Sequence, residues 1–164
     1  MMNYSIEMTN MDKIIYHSII LERSPHDVFE FFTVNKHLEQ WLTKEADVEP
    51  RVGGKFELFW VPEDKENDST IGCKILAFQH DKFLNFEWKG PKMYKHFMNE
   101  ANPLTNVVVF FIPCTNENSS TSCTDVYLIH SGWKDSAEWQ EAKLWTGKNW
   151  DNAFERLKKY VSEL

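Results

Sequence analysis

Six histidines, at positions 17, 26, 37, 80, 96 and 130, are the side chains of this sequence best suited to proton transfer or metal binding near neutral pH. No two stand at i, i+2 or i, i+4, so a metal site would need ligands from segments far apart in the chain. There is no GxSxG elbow, no HExxH and no Walker loop. "RVGGKF" holds two glycines but lacks the Gly-Lys-Ser/Thr ending and opens no helix, so it reads as backbone turning into a strand rather than a phosphate cradle. His26, His37 and His80 fall in helix starts or turns and are expected to be solvated. His130 ends a strand on the face of Val126 and Leu128, and His17 shares a face with Ile15 and Ile19. Either could act as an acid, a base or a donor to a ligand, although satisfaction by neighbouring groups is the commoner role. They are the only pair that could serve an enzyme. No catalytic residue, metal ligand or cofactor is assigned.

The aromatics carry more of the signal. They make up 15% of the chain, and "SGWKDSAEWQEAKLWTGKNW" alone holds four of the seven tryptophans: Trp133, Trp139, Trp145 and Trp150. Trp41, Phe56, Trp60, Trp88, Trp139 and Trp150 are candidates to converge on one apolar space, which is what a small hydrophobic ligand needs. Phe97 and Met98, in a polar excursion broken by Pro91 and Pro103, and His130 at a strand end complete the candidate ligand-binding set. The excursion is the expected gate, since methionines adapt to varied shapes; the competing expectation is that Phe97 and Met98 only pin it down. The same rings could equally fill the space as core.

The elements that must position these residues follow from pattern. "KIIYHSIIL" (13–21) is rich in β-branched residues and reads as a strand. Ser24 then caps a helix with Pro25 in its first turn and Val28, Phe29 and Phe32 on its apolar face. Asn35 is expected to cap a second short helix, 36–42. Gly53-Gly54 turns the chain into a strand with Phe56, Leu58 and Trp60 on one face. "TIGCKILAFQ", "FLNFEW", "LTNVVVFFIP" and "TDVYLIHS" are further strands, separated by "HDK", the excursion and the polar loop "TNENSST". Glu57 and Glu87 lie on the outward faces. From about Ser136 to Leu164 the chain is helical, with Trp139, Lys143, Thr146, Trp150, Phe154, Leu157, Val161 and Leu164 on one stripe and Gly147 as a soft point or kink. The expected class is α+β: a curved antiparallel sheet of about six to seven strands wrapped around a long C-terminal helix, with two short helices after the first strand.

Composition bounds the rest. The 164 residues suit one domain, 12–164, preceded by a flexible tail, 1–11. A chain of this size buries roughly 70% of its unfolded surface and needs no staple to fold. With 18 basic and 25 acidic residues, net −7, nucleic acid is not an expected partner. Neither a signal peptide nor a run of ~18 apolar residues is present, so no membrane association is expected and the location is read as cytoplasmic. Cys73, Cys114 and Cys123 are expected to be free thiols there, although Cys114 and Cys123 bracket a hairpin loop and could face one another.

Four segments carry a family resemblance: "SPHDVFEFFTVNKHLEQWL", "RVGGKFELFW", "FEWKGP" and "HSGW…GKNWDNAFERLKKYV". In their order and spacing over about residues 12–162 the chain resembles the START/Bet v 1-like (SRPBCC) helix-grip superfamily. Within it, the chain is similar to the C-terminal part of the activator of Hsp90 ATPase. The resemblance implies an internal hydrophobic cavity; superfamily members bind lipids, sterols, polyketides or plant hormones, and some are cyclases or dehydratases. A shared fold does not transfer a function. The reading is a binder of a small hydrophobic molecule between sheet and helix, more readily a non-enzyme than an enzyme. The alternative is a protein-interaction module of co-chaperone type, with a cyclase- or dehydratase-type enzyme behind both. No counterpart of the activator's acceleration motif precedes Lys13, so stimulation of Hsp90 itself is not expected.

Overall fold

The computed structural model describes residues 13–115 and 122–164. The expected N-terminal tail and nearly all of the loop "TNENSST" lie outside the described residues. Strand β1 (Ile15–Leu21) leads to helix α1 (Pro25–Thr33) and helix α2 (Asn35–Trp41). Ser24 caps α1 as the sequence predicts, its Oγ accepting from the Asp27 amide at 3.2 Å. Asn35 does not cap α2. Its Oδ1 accepts instead from the Val48 amide at 2.8 Å, anchoring a strand that was not predicted.

That strand, β2 (Glu45–Val48), is four residues of modest apolar content and carries no strong pattern of its own. It pairs with β3 (Phe56–Phe59). Strands β4 (Ile75–Gln79), β5 (Phe83–Glu87), β6 (Asn106–Cys114) and β7 (Cys123–Ser131) join β1 in a five-stranded antiparallel sheet of order β1-β7-β6-β5-β4. The α+β composition, the long last helix and the two short helices after β1 are as expected, while the seven strands fall into two ladders rather than one. Backbone bonds bridge the ladders where β3 runs beside residues 69–75: Phe56 donates to the Cys73 carbonyl at 2.9 Å and Thr70 to the Leu58 carbonyl at 2.9 Å.

One sheet face is buried by strict alternation and apolar but for its last residue: Leu84 and Phe86 on β5, Val107, Val109 and Phe111 on β6, Val126, Leu128 and the polar His130 on β7. α1 covers part of it through Phe29 and Phe32, whose rings meet Phe111 at 5.7 and 5.4 Å. Helix α4 (Ala137–Ser162) covers the rest, burying Trp139, Ala142, Thr146, Trp150, Ala153, Phe154, Leu157 and Val161. Each fully buried Phe or Leu of this interface contributes about 1.5–3 kcal/mol. The predicted stripe holds except at Lys143, which is half-buried while Ala142 takes the buried place beside it, and at its end, where Leu164 lies beyond the helix and is exposed. Gly147 causes no break: α4 runs unbroken through it. The excursion after β5 forms a 3-10 turn (Lys92–Tyr94) and a single-turn helix, α3 (Lys95–Met98).

The thiol expectation is corrected for two cysteines. Cys114 and Cys123 are directly opposed in the β6–β7 register, their Cα atoms 5.3 Å apart, and they form a disulfide. Pairing register, not spacing in sequence, decides this. Cys73 is free and buried.

Candidate functional site

Between α4, the end of β5 and the segments after β3 lies a groove of about 290 Å³. Its walls are indole rings. Trp88, at the end of β5, meets Trp150 of α4 at 5.0 Å and Trp60 edge-on at 5.8 Å, and Trp145 forms the rim of α4. Two of these rings have their N–H groups occupied inside the protein: Trp60 Nε1 donates to the Leu42 carbonyl at 2.9 Å and Trp150 Nε1 to His130 Nδ1 at 3.1 Å. These two rings thus have no N–H left for a ligand, and their contribution to the groove is apolar.

Polar groups at the groove are few. Arg156 is fixed by its Nε, which donates to the Trp41 carbonyl at 2.9 Å. Asp68 accepts from the Lys92 amide at 2.8 Å, and Lys89 Nζ donates to the Ile71 carbonyl at 2.6 Å. Thr146 differs from these. It lines the groove, it is buried, and its Oγ1 has no hydrogen-bond partner among the described residues. An unpaired buried hydroxyl costs about 1–3 kcal/mol.

Of the nine predicted ligand-binding residues, Trp60, Trp88 and Trp150 line the groove. Trp41 is buried under α1, its Nε1 donating to the Phe31 carbonyl at 2.9 Å, and Phe56 stacks on Phe86 at 3.8 Å in the sheet core. Trp139 and Phe97 pack on each other at 5.2 Å away from the groove lining. Met98 is buried against Gly90, where a Cβ would stand 2.5 Å from its Sδ. The Gly90 amide donates to Asn99 Oδ1 at 2.8 Å and Lys95 Nζ to the Glu66 carbonyl at 2.7 Å, so the excursion is pinned on both sides. Trp145, Thr146 and Arg156 also line the groove, beyond the residues predicted for it. Their signal was the off-stripe position of Trp145, and a helical residue beside the buried stripe is where a rim must be.

His130 lies behind the groove wall rather than at its mouth. The ring is fully buried, and its nitrogens are both used: Nδ1 accepts from Trp150 and Nε2 meets the Thr105 hydroxyl at 3.0 Å. Burial pushes its pKa down to about 3. His17, on β1, donates from Nε2 to the Gly147 carbonyl at 3.1 Å and pairs through Nδ1 with Asp151 at 2.8 Å. The two histidines therefore serve separate networks, each tying a strand to α4. Burial also pushes the Cys73 thiol up to about 12, which removes it as a nucleophile. Of the histidines expected to be solvated, His26 and His80 are exposed and both meet Asp81, whereas His37 is half-buried with its Nδ1 2.7 Å from the Tyr160 hydroxyl.

The comparisons with known proteins agree with this architecture. The profile described as "Activator of Hsp90 ATPase homolog 1-like protein" matches residues 22–162. No curated protein matches the sequence. Among solved structures, an Hsp90 activator from Plasmodium falciparum is similar with a TM-score of 0.67 and 22% identity, covering 92% of this chain and 96% of its own. A Mesorhizobium loti protein superposes with a TM-score of 0.66 and 18% identity, over 92% of this chain and 97% of that one. The Aha1 dimer from Colwellia psychrerythraea gives 0.64 and 19%, over 90% and 95%. At these identities the structures speak for the fold alone. The sequence match spans most of the chain, and the protein belongs to the Activator of Hsp90 ATPase homolog 1-like family.

Proposed function

We propose that residues 12–164 act as one domain that binds a small, largely apolar molecule in the indole-walled groove, with one hydrogen-bonding group of the ligand directed at Thr146. The observation that carries this reading is the Thr146 hydroxyl, buried in the groove lining with no partner among the described residues. Val would fill the same volume without leaving a hydroxyl unpaired. The volume, about 290 Å³, stands at the small end of the range for ligand pockets and suits a one- or two-ring compound better than a sterol.

The test is intrinsic tryptophan fluorescence titrated with flavonoids, fatty acids and a hydrophobic dye. Saturable binding with a blue shift is expected, weakened in Trp145→Ala and in the groove-filling Asn149→Phe. For ligands bearing a hydroxyl or carbonyl, Thr146→Val should lower affinity about 5- to 10-fold, in line with loss of one neutral hydrogen bond, while the dye binds as before. A flat titration across the panel would sink the reading.

A second reading is a protein-interaction module, as the Hsp90 activators among the fold relatives suggest. It is favoured by Leu144, 71% exposed beside the partly exposed Trp145 on α4, and by exposed Met93, whose neighbour Tyr94 packs on Trp145 at 6.0 Å. Leu144→Asp discriminates the two: it leaves small-molecule titration unchanged and disrupts a protein complex.

A further inference from the structure

Away from the groove, three side chains of metal-ligating type from distant segments come together. His26 stands in the first turn of α1, and His80 and Asp81 form the turn between β4 and β5. Asp81 Oδ1 lies 3.1 Å from His26 Nδ1 and 3.3 Å from His80 Nδ1. One ligand atom from each of the three residues lies within 4.8 Å of the other two. A tetrahedral ion with bonds of ~2.0–2.1 Å to nitrogen and oxygen sets its ligand atoms roughly 3.3 Å apart. Two of the three edges already have that length.

Neighbouring side chains restrain two of the three residues. His26 Nε2, the nitrogen remote from the cluster, is 2.8 Å from Glu30 Oε1 one turn along α1. A carboxylate on the far nitrogen fixes ring and tautomer and turns the near nitrogen into a lone-pair donor, the usual support of a metal-bound histidine. The His80 ring lies 4.6 Å from the buried Phe29 ring and is stacked with His26 at 6.5 Å, 19° from parallel. Phe29 thus restrains one ligand and Glu30, its neighbour in sequence, restrains the other.

We propose that His26, His80 and Asp81 form a three-ligand site for a divalent transition metal, with Glu30 positioning His26 and the fourth place left to water. Two imidazoles and one carboxylate suit zinc, cobalt, nickel or copper and not magnesium or calcium. Bound there, the ion would staple α1 to the β4–β5 turn and raise the melting temperature with metal concentration.

Zinc alone is titrated by calorimetry into chelator-treated, tag-free full chain, with cobalt absorption in the visible reporting geometry. One equivalent and tetrahedral cobalt bands are expected. His26→Ala and His80→Ala should each weaken binding at least about 10- to 100-fold, and Glu30→Gln, which touches no ligand atom, about 10-fold or more. His96→Ala, outside the cluster, should bind as the parent does. His26 and His80 are exposed and Glu30 is half-buried at the surface, so circular dichroism of the metal-free variants should match the parent. The proposal is overturned if no zinc binds up to about 1 mM, or if one-equivalent binding persists unchanged in the His26→Ala/His80→Ala double variant.

Discussion

At the scale of single residues, the chemistry of His130 is decided by what surrounds it. An indole nitrogen can only donate, so the bond from Trp150 makes Nδ1 an acceptor and puts the proton on Nε2, which donates to the Thr105 hydroxyl. The ring is thereby held neutral, and burial holds its pKa near 3 against about 6.5 in an unfolded chain. Between those values the unfolded chain binds a proton that the folded one refuses. The stability that neutral His130 contributes is therefore complete above about pH 6.5 and is lost as pH falls toward 3, by on the order of 4 kcal/mol. Urea denaturation from pH 7 to pH 4 should show the parent losing stability and His130→Gln a flatter profile. Equal acid slopes in the two proteins would assign the acid sensitivity elsewhere. The inward face of His130 could be read from its alternation with Val126 and Leu128. Its bonds could not, because Thr105 and Trp150 reach it only through the β6–β7 register and the path of α4.

At the scale of elements, α4 is the most legible part of the molecule, because 26 residues give a 3.6-residue period time to declare itself. Its one irregular residue behaves otherwise than glycine's reputation suggests. Gly147 sits in continuous helix, a Cβ there would meet nothing within 4 Å, and its carbonyl receives an extra bond from His17. Gly147→Ala should stabilise the protein by about 0.5–1 kcal/mol, through the unfolded chain's lost freedom and the better helix former. Thermal and urea melts measure it. A loss of stability instead would mean that α4 needs the glycine for its path over β1. Short elements were less legible for the converse reason. The four residues of β2 hold too few positions for alternation to speak, and Asn35, read as a cap for its own helix, spends its side chain on Val48.

At the scale of the whole molecule, what matters is how the two ladders become one wrap around α4. Thr70, fully buried, is the joint: its Oγ1 accepts from the Leu58 amide and donates to the Phe56 carbonyl, both at 2.9 Å. Thr70→Val keeps the shape and leaves two buried backbone groups of β3 without that partner. The expected cost is about 2–4 kcal/mol, with the loss of amide-exchange protection concentrated at β2 and β3. Uniform loss across both ladders would show that the joint has no local role. Since β3 leads directly into Trp60, and Trp88 directly follows β5, the groove should weaken in the same variant.

The sequence by itself determined the class of fold, the Ser24 cap, the faces of the helices and the inward sides of most strands, because these depend on local period and on side chains a few residues apart. It also marked the aromatic residues from which the groove is drawn, without separating those that line it from those that fill the core. That separation, the bond between Cys114 and Cys123, the joining of the ladders at Thr70 and the meeting of His26 with His80 and Asp81 belong to the tertiary structure. Each depends on register and on the path of the chain between segments tens of residues apart, and neither quantity leaves a periodic trace in the sequence.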